Sequence, residues 1–176
     1  MRVFQQPAKE NRKAMELMTS GRLFSQEIAI LRQELDSLVR IIYLLSIKGR
    51  KHREDLINST LNGRKWKDRK GKIITDRQMV DRAQKLQHWA QAVYKFGCAF
   101  IHLSNYHDYN SVDPVKNLNG DEKKALINYL NYYQGACLNS DFTLQDLRSY
   151  TMQVFEKISS NLECYLKDLE KNMELK

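Results

Sequence analysis

The fold is decided by residues 75–109, TDRQMVDRAQKLQHWAQAVYKFGCAFIHLSNYHDY. Thr75 and Gln78 form a capping-box pattern, in which each side chain bonds the other residue's backbone N–H, so a helix should begin at Asp76. Apolar residues then recur at spacings of three and four and form one stripe: Met79, Ala83, Leu86, Ala90, Val93, Gly97 and Phe100. We therefore predict one long helix that packs this stripe against a core and ends in the histidine-bearing segment 100–109.

The opposite side of this helix carries a polar seam. At about 100° per residue, the residues on this side are Gln84, Gln91, Lys95, His102 and Tyr109. His88 and Cys98 lie beside them, and we include both in the polar seam. Polar helix faces are usually solvated. Two imidazoles, an ammonium, a thiol and two tyrosines within residues 95–109 are nevertheless unusual for a surface that only meets water. We therefore expect the seam to lie in a groove or between subunits.

The composition indicates one globular, mainly helical domain over residues 1–176. The chain has 42% apolar residues, two prolines and seven glycines. Its three cysteines are odd in number and widely spaced, which predicts neither a disulfide framework nor a zinc knuckle and favours a reducing cytoplasm. No signal-peptide pattern is present, and the longest apolar run, 41–45, is too short to span a bilayer. We therefore expect a cytoplasmic protein with no membrane partner.

Other amphipathic stretches complete an antiparallel helical bundle. The N-terminal extension, 1–20, contains a short helix over 8–18, and the next helix runs from an N-cap at Ser25 to about residue 48. A helix over 121–133 is closed by a glycine, and Thr143 caps a final long helix that continues to about residue 169. The fold class is therefore all-α.

A basic insertion interrupts the bundle at residues 49–74. Asp68-Arg-Lys-Gly71 suits a type I turn and predicts a small β-hairpin near 63–74, with a mobile basic loop anchored by one tryptophan as the alternative. The chain's net charge of +8 suits a polyanion such as RNA or DNA, although an acidic protein surface would also fit. The residues predicted to contact nucleic acid are Arg50, Lys51, Arg53, Arg64, Lys65, Trp66, Lys67, Arg69, Lys70 and Lys72. In this prediction the lysines and arginines bind phosphates and Trp66 stacks on a base.

The histidine segment has the groups that RNA cleavage requires. A base must take the 2′-hydroxyl proton, an acid must protonate the leaving oxygen, and cations must stabilise the phosphate. Imidazoles and a lysine can fill these three roles without a metal ion. His102 and His107 are five residues apart and do not share a helix face, so a homodimer would be needed to pair two copies of His102. The candidate catalytic residues are Lys95, His102, Asn105 and His107. No third ligand accompanies Cys98 and His102, so neither a metal nor another cofactor is predicted.

Lys95 and His102 are separated by six residues in a helix of an all-α chain. This arrangement resembles the HEPN superfamily of prokaryotic helical domains, whose signature is Arg, four to six residues, then His. Lysine replaces the arginine here, and Phe96 stands where a polar residue often follows. The resemblance covers the helical order of residues 25–171. It implies an RNA-binding homodimer that acts as a metal-independent endoribonuclease in a phage-defence or toxin–antitoxin system.

Two other functions stay open at this point. One is a catalytically inactive HEPN-like module whose polar seam binds a partner protein. The other is a basic helical nucleic-acid-binding protein, in which the basic insertion makes the contacts and the histidines are incidental.

Overall fold

The computed structural model of the chain describes residues 2–102, 104–171 and 175, with the side chains of Arg2 and Asn105 outside the description. These residues form an all-α bundle, which confirms the predicted fold class. Its helices are α1 Arg2–Ser20, α2 Phe24–Leu45, α3 Arg50–Leu61, α4 Asp76–Gln84, α5 Ala90–Ile101, α6 Gly120–Gln134, α7 Leu144–Arg148 and α8 Thr151–Glu170, with 3-10 segments at Asn105–Asp108 and Pro114–Asn117. Among the described helices, none has the length and apolar character needed to cross a membrane.

Helix α2 is the centre of the bundle, and α1, α4, α5 and α8 pack around it. Its side chains with no exposed surface include Leu35, Leu38, Ile41 and Ile42. Helix α8 runs in the same direction as α2, so the predicted antiparallel packing is wrong for this pair. Thr151 bonds Glu27 near the start of both helices, and the backbone of Leu175 bonds that of Leu45 near their ends. Leu23, rather than the predicted Ser25, is the N-cap of α2.

Residues 2–20 form a bundle helix instead of the predicted extension with a short helix. Pro7 lies inside α1, although proline usually marks a helix start because it cannot donate a backbone hydrogen bond. Phe4 and Met15 are 4% and 0% exposed, so both ends of α1 are fixed by core packing. This burial explains why the helix extends ahead of the proline.

The prediction of one continuous helix after Thr75 is wrong, because the chain breaks between α4 and α5. The side chain of Gln84 stabilises the break: its Oε1 accepts a hydrogen bond from the backbone N–H of Gln91 (2.8 Å), and its Nε2 donates to the carbonyl of His88. Backbone groups that a continuous helix would pair internally are thereby satisfied by a side chain. The predicted apolar stripe still packs inward, except that Leu86 lies in the break and is 43% exposed.

Helix α5 ends at Ile101, well before residue 109. His102 has extended dihedral angles, φ −92° and ψ 141°, and Ser104 then caps a 3-10 turn. The Ser104 hydroxyl also donates to the carbonyl of Ala99 at 2.6 Å. A serine that bonds the helix end and caps the next segment favours termination here.

Several local predictions about helix ends are confirmed. Thr75 and Gln78 form the expected capping box, as do Thr143 and Asp146. Gly135 ends α6 with a left-handed φ of 65°. The last helix is nevertheless divided into α7 and α8, since Ser149 and Tyr150 separate them.

Candidate nucleic-acid interface

The basic insertion, residues 49–74, consists of α3 and a minimal β-hairpin. The backbone N–H of Gly71 donates to the carbonyl of Asp68 (2.9 Å), which closes the predicted turn. The Asp68 carboxylate also accepts the backbone N–H groups of Lys70 and Lys72, both at 2.9 Å. One isolated antiparallel bridge forms behind the turn. The predicted hairpin is therefore confirmed, with a single bridge.

Trp66 anchors this hairpin in the protein. Its side chain is 4% exposed, and its indole Nε1 donates to the hydroxyl of Thr60 at 2.8 Å. Its ring lies 6.2 Å from that of Tyr43 between centroids, and the guanidinium of Arg40 lies 5.4 Å from the ring centroid. The prediction that Trp66 stacks on a base is wrong, because its faces are already covered by protein.

A second contact joins the hairpin tip to the loop that follows the central helix. The guanidinium of Arg69 donates to the carbonyl of Lys48 at 2.6 Å. A shallow cavity of about 330 Å³ lies beside this contact, and its charged or imidazole lining residues include Lys48, His52, Arg69 and Lys70. Together with Trp66, this contact gives the basic side chains a defined position on the bundle.

Most of the predicted phosphate-binding side chains point to solvent. Eight of the ten residues predicted to contact nucleic acid are exposed: Arg50, Lys51, Arg64, Lys65, Lys67, Arg69, Lys70 and Lys72. The other two are buried, Arg53 at 3% and Trp66 at 4% exposed, so the prediction that they contact nucleic acid is wrong. The insertion holds nine Lys and Arg against three Asp and Glu, a net charge of +6 where the whole chain has +8. The protein's excess charge is therefore concentrated on this one feature.

Among the side chains that the structure describes, no contact brings the predicted catalytic residues Lys95, His102 and His107 together within one chain. His102 is exposed at the end of α5, and its imidazole makes no hydrogen bond or ion pair in the described part of the chain. The expectation that this imidazole lies in a groove is wrong for the single chain. His107 is also exposed, and its Nδ1 accepts the backbone N–H of Ser104 at 3.2 Å, which is a capping role. The side chain of Asn105 lies outside the described residues.

Lys95 lies elsewhere, in a groove between α5 and α6 with a volume of about 1210 Å³. Four members of the polar seam line this groove: Gln84, His88, Gln91 and Lys95. The prediction that the seam lies in a groove is therefore correct for this half of it. Lys95 precedes His102 by seven residues, about 10 Å along a helix axis, and no contact joins the two side chains among the described residues.

The floor of this groove is aromatic. Trp89 is 2% exposed, and its ring centroid lies 5.7 Å from that of Tyr129. The Tyr129 hydroxyl accepts a hydrogen bond from Gln134 (3.3 Å), and burial raises the pKa of Tyr129 to about 12, so the hydroxyl stays protonated at neutral pH. No helical periodicity in the sequence indicated that α6 would stand away from α5 and leave a groove.

A buried arginine, which the sequence analysis did not identify, fixes α5 against the central helix. Arg32 of α2 is 4% exposed and pairs with Asp36 one turn later. Its guanidinium lies 3.8 Å from the ring centroid of Tyr94. Gly97 faces its aliphatic part so closely that a Cβ there would lie 3.0 Å from Arg32 Cδ. Two features of the sequence could have indicated this contact: the i, i+4 spacing of Arg32 and Asp36, and the glycine in the middle of α5. Both features are also common on exposed helices.

A second buried charge lies between α1, α2 and α8. Glu34 is 0% exposed, and its Oε2 accepts a hydrogen bond from Asn11 Nδ2 at 3.0 Å. Burial raises the pKa of Glu34 above its ordinary value, against the opposing effects of Asn11, Ser159 and Arg12. This carboxyl lies among the helices of the bundle rather than in the groove or the basic insertion.

Comparisons with known proteins add no relative to this description. The chain matches no protein-family model, no curated protein and no solved structure. In the part of the chain that the structure describes, no group of three or more His, Cys, Asp or Glu side chains is arranged to hold a metal ion. The similarity to HEPN domains therefore stays a prediction from the sequence, and the candidate site is defined by the exposed cations of the basic insertion.

Proposed function

We propose that this protein binds nucleic acid, with RNA as its expected ligand, through phosphate contacts from the basic insertion. The observation that carries the proposal is the set of eight exposed Lys and Arg residues on a hairpin and helix anchored by Trp66. A fixed array of cations binds phosphates and releases condensed counterions, which gives sequence-independent affinity. The buried anchor favours binding because it fixes the backbone that carries the cations before the ligand arrives, so that less ordering is needed on binding.

The pairing of charges inside the insertion supports a polyanionic ligand. Glu54 is already paired with Arg50 at 2.6 Å, and the carboxylate of Asp68 accepts backbone amides of the turn. Within the described residues, no carboxylate forms an ion pair with Lys65 or Lys67. These ammonium groups are therefore available to an external anion.

RNA cleavage is a separate hypothesis that rests on the resemblance of Lys95 and His102 to the HEPN motif. The two side chains lack a contact among the described residues, so cleavage would require a second copy of the chain to complete the site. Binding by the basic insertion needs no such second copy. For this reason we propose binding as the function of the single chain.

A pair of matched double variants tests this function. Replacing Lys65 and Lys67 by Gln removes two charges from the insertion, and replacing Lys9 and Lys13 by Gln removes two exposed charges from α1. With a 20-nucleotide single-stranded RNA, the insertion variant should reduce the slope of log affinity against log salt by about 1.4 and weaken binding about 25-fold at 0.1 M salt. Fluorescence anisotropy over a series of salt concentrations measures both quantities.

The α1 variant is the control for net charge. It should leave the salt slope unchanged, because its lysines lie outside the proposed interface. Equal losses in the two variants would mean that binding depends only on overall charge, and no loss in the insertion variant would refute the proposed interface.

A further inference from the structure

The groove between α5 and α6 has polar side chains that the protein itself does not use. Its lining includes the two carboxylates of the first turn of α6. Gln91 and Lys95 line it from α5, and Asn128 and Tyr132 line it from α6. In the described part of the chain, none of these four side chains makes a hydrogen bond or ion pair. Polar groups that converge on a concave surface without partners are a feature of ligand sites.

Tyr132 is the most unusual member of this set. Its side chain is 81% exposed, and its ring meets that of Tyr133 edge-on, with centroids 4.7 Å apart and an interplanar angle of 78°. The contact with Tyr133 orients the Tyr132 ring, and most of the side chain remains open to solvent. An aromatic ring that is largely exposed is suited to stacking on another planar group.

We propose that this groove holds an unpaired nucleobase of the bound strand. The base stacks on Tyr132, the amides of Gln91 and Asn128 pair with its polar edge, and Lys95 binds an adjacent phosphate. This proposal rests on the proposed function, since it assigns a second contact to the same ligand.

The chemistry of the groove favours a base over the apolar face of a partner helix. An apolar face would cover Gln91, Lys95 and Asn128 without giving them partners, and a buried polar group without a partner is unfavourable. A nucleobase offers both donors and acceptors at its edge, and its attached phosphate is the natural partner of an ammonium group. Gln91, Asn128 and Lys95 therefore each gain a polar partner when the ligand is bound.

The position of the groove allows one strand to reach both sites. The hairpin ends immediately before α4, and Gln84 at the far end of α4 lines the groove. Nine residues of helix span about 14 Å, which is within the reach of a short piece of single-stranded RNA. Bases in a duplex are already paired and stacked, so the groove should contribute to the binding of single strands only.

Substitution of Tyr132 tests this assignment. Tyr132→Leu should weaken the binding of a 12-nucleotide mixed-sequence single-stranded RNA by about fivefold to 150-fold, since it removes one stacked base. Binding of the duplex of the same sequence should stay unchanged, and so should the salt slope. Tyr132→Phe keeps the ring and should retain the preference for single strands. Because the side chain is largely exposed, neither variant should alter the fold.

The outcomes separate the groove from the basic insertion. Unchanged single-strand binding by Tyr132→Leu, or an equal loss for duplex and single strand, would overturn the groove proposal and leave the insertion proposal intact. A full effect of Tyr132→Leu with no effect of the Lys65 and Lys67 variant would overturn the insertion instead. If the unaltered protein binds neither form of RNA, both proposals fail, and the groove would then be examined as a site for a protein helix.

Discussion

Trp66 gives the sharpest test of the structure, because the position of the basic insertion depends on it. Replacing a buried tryptophan by alanine costs about 3–5 kcal/mol, and the hydrogen bond to Thr60 accounts for about 1 kcal/mol of this. The loss should act on the insertion first, since α3 has few contacts with the rest of the bundle. We therefore expect Trp66→Ala to open residues 49–74 while the bundle stays folded.

Limited trypsin digestion measures this opening directly, because the insertion contains nine Lys and Arg residues. When opening is fast, the cleavage rate follows the population of the open form. Trp66→Ala should therefore accelerate cleavage within residues 49–74 at least about 100-fold at 25 °C. Trp66→Phe keeps a ring but loses the hydrogen bond, at a cost of about 1–2 kcal/mol, and should accelerate cleavage about five- to 30-fold.

A core substitution outside the insertion provides the control. Leu162 of α8 is 1% exposed, and Leu162→Ala should lower the stability of the bundle by about 2–5 kcal/mol without selective cleavage of the insertion. If trypsin cuts the Trp66→Ala insertion no faster than that of the unaltered protein, Trp66 is not the anchor. The argument that the cations are held in fixed positions would then fail.

Two further substitutions test other parts of the structure. Burial raises the folded-state pKa of Glu34, so ionisation of this carboxyl reduces the stability of the folded protein. Glu34→Gln should therefore increase the free energy of unfolding near pH 7. This gain should shrink as the pH falls towards 4.5, the ordinary pKa of a glutamate, because the carboxyl then becomes neutral in both the folded and the unfolded state. Urea unfolding across this pH range measures the gain. A gain that grows towards low pH would contradict the assignment. His102→Ala should change RNA affinity by no more than about twofold, because this residue lies outside both the basic insertion and the groove between α5 and α6. Loss of RNA cleavage at unchanged affinity would instead establish His102 as a catalytic residue completed by a second chain.

The parts of the fold that depend on neighbouring residues were predictable from the sequence. The capping boxes at Thr75 and Thr143, the Asp68 turn and the left-handed Gly135 all form with partners a few residues away. Their geometry follows from local chemistry, which any sequence window contains. The all-α class follows from the same patterns taken together.

The parts that depend on distant contacts were not predictable in the same way. The break in the predicted long helix requires Gln84 to take over backbone hydrogen bonds, although its residue type suits a helix interior equally well. The burial of Trp66 requires Tyr43 and Arg40 from another helix. His102 is exposed because α5 ends beside it, whereas a longer helix would have continued the polar seam. In each case tertiary packing decided between alternatives that local patterns allowed.

The direct contact between α2 and α4 has a consequence for how such a protein can change. Arg40 of α2 pairs with Asp76 at the start of α4 at 2.8 Å, so the two helices meet without help from the chain that connects them. This ion pair should hold the start of α4 against α2 when the connecting chain opens, although that chain adds Leu56, Trp66 and Ile74 to the hydrophobic core. Changes to the exposed cations of the connecting chain should therefore leave the hydrophobic interior intact, whereas changes to these three buried residues should not.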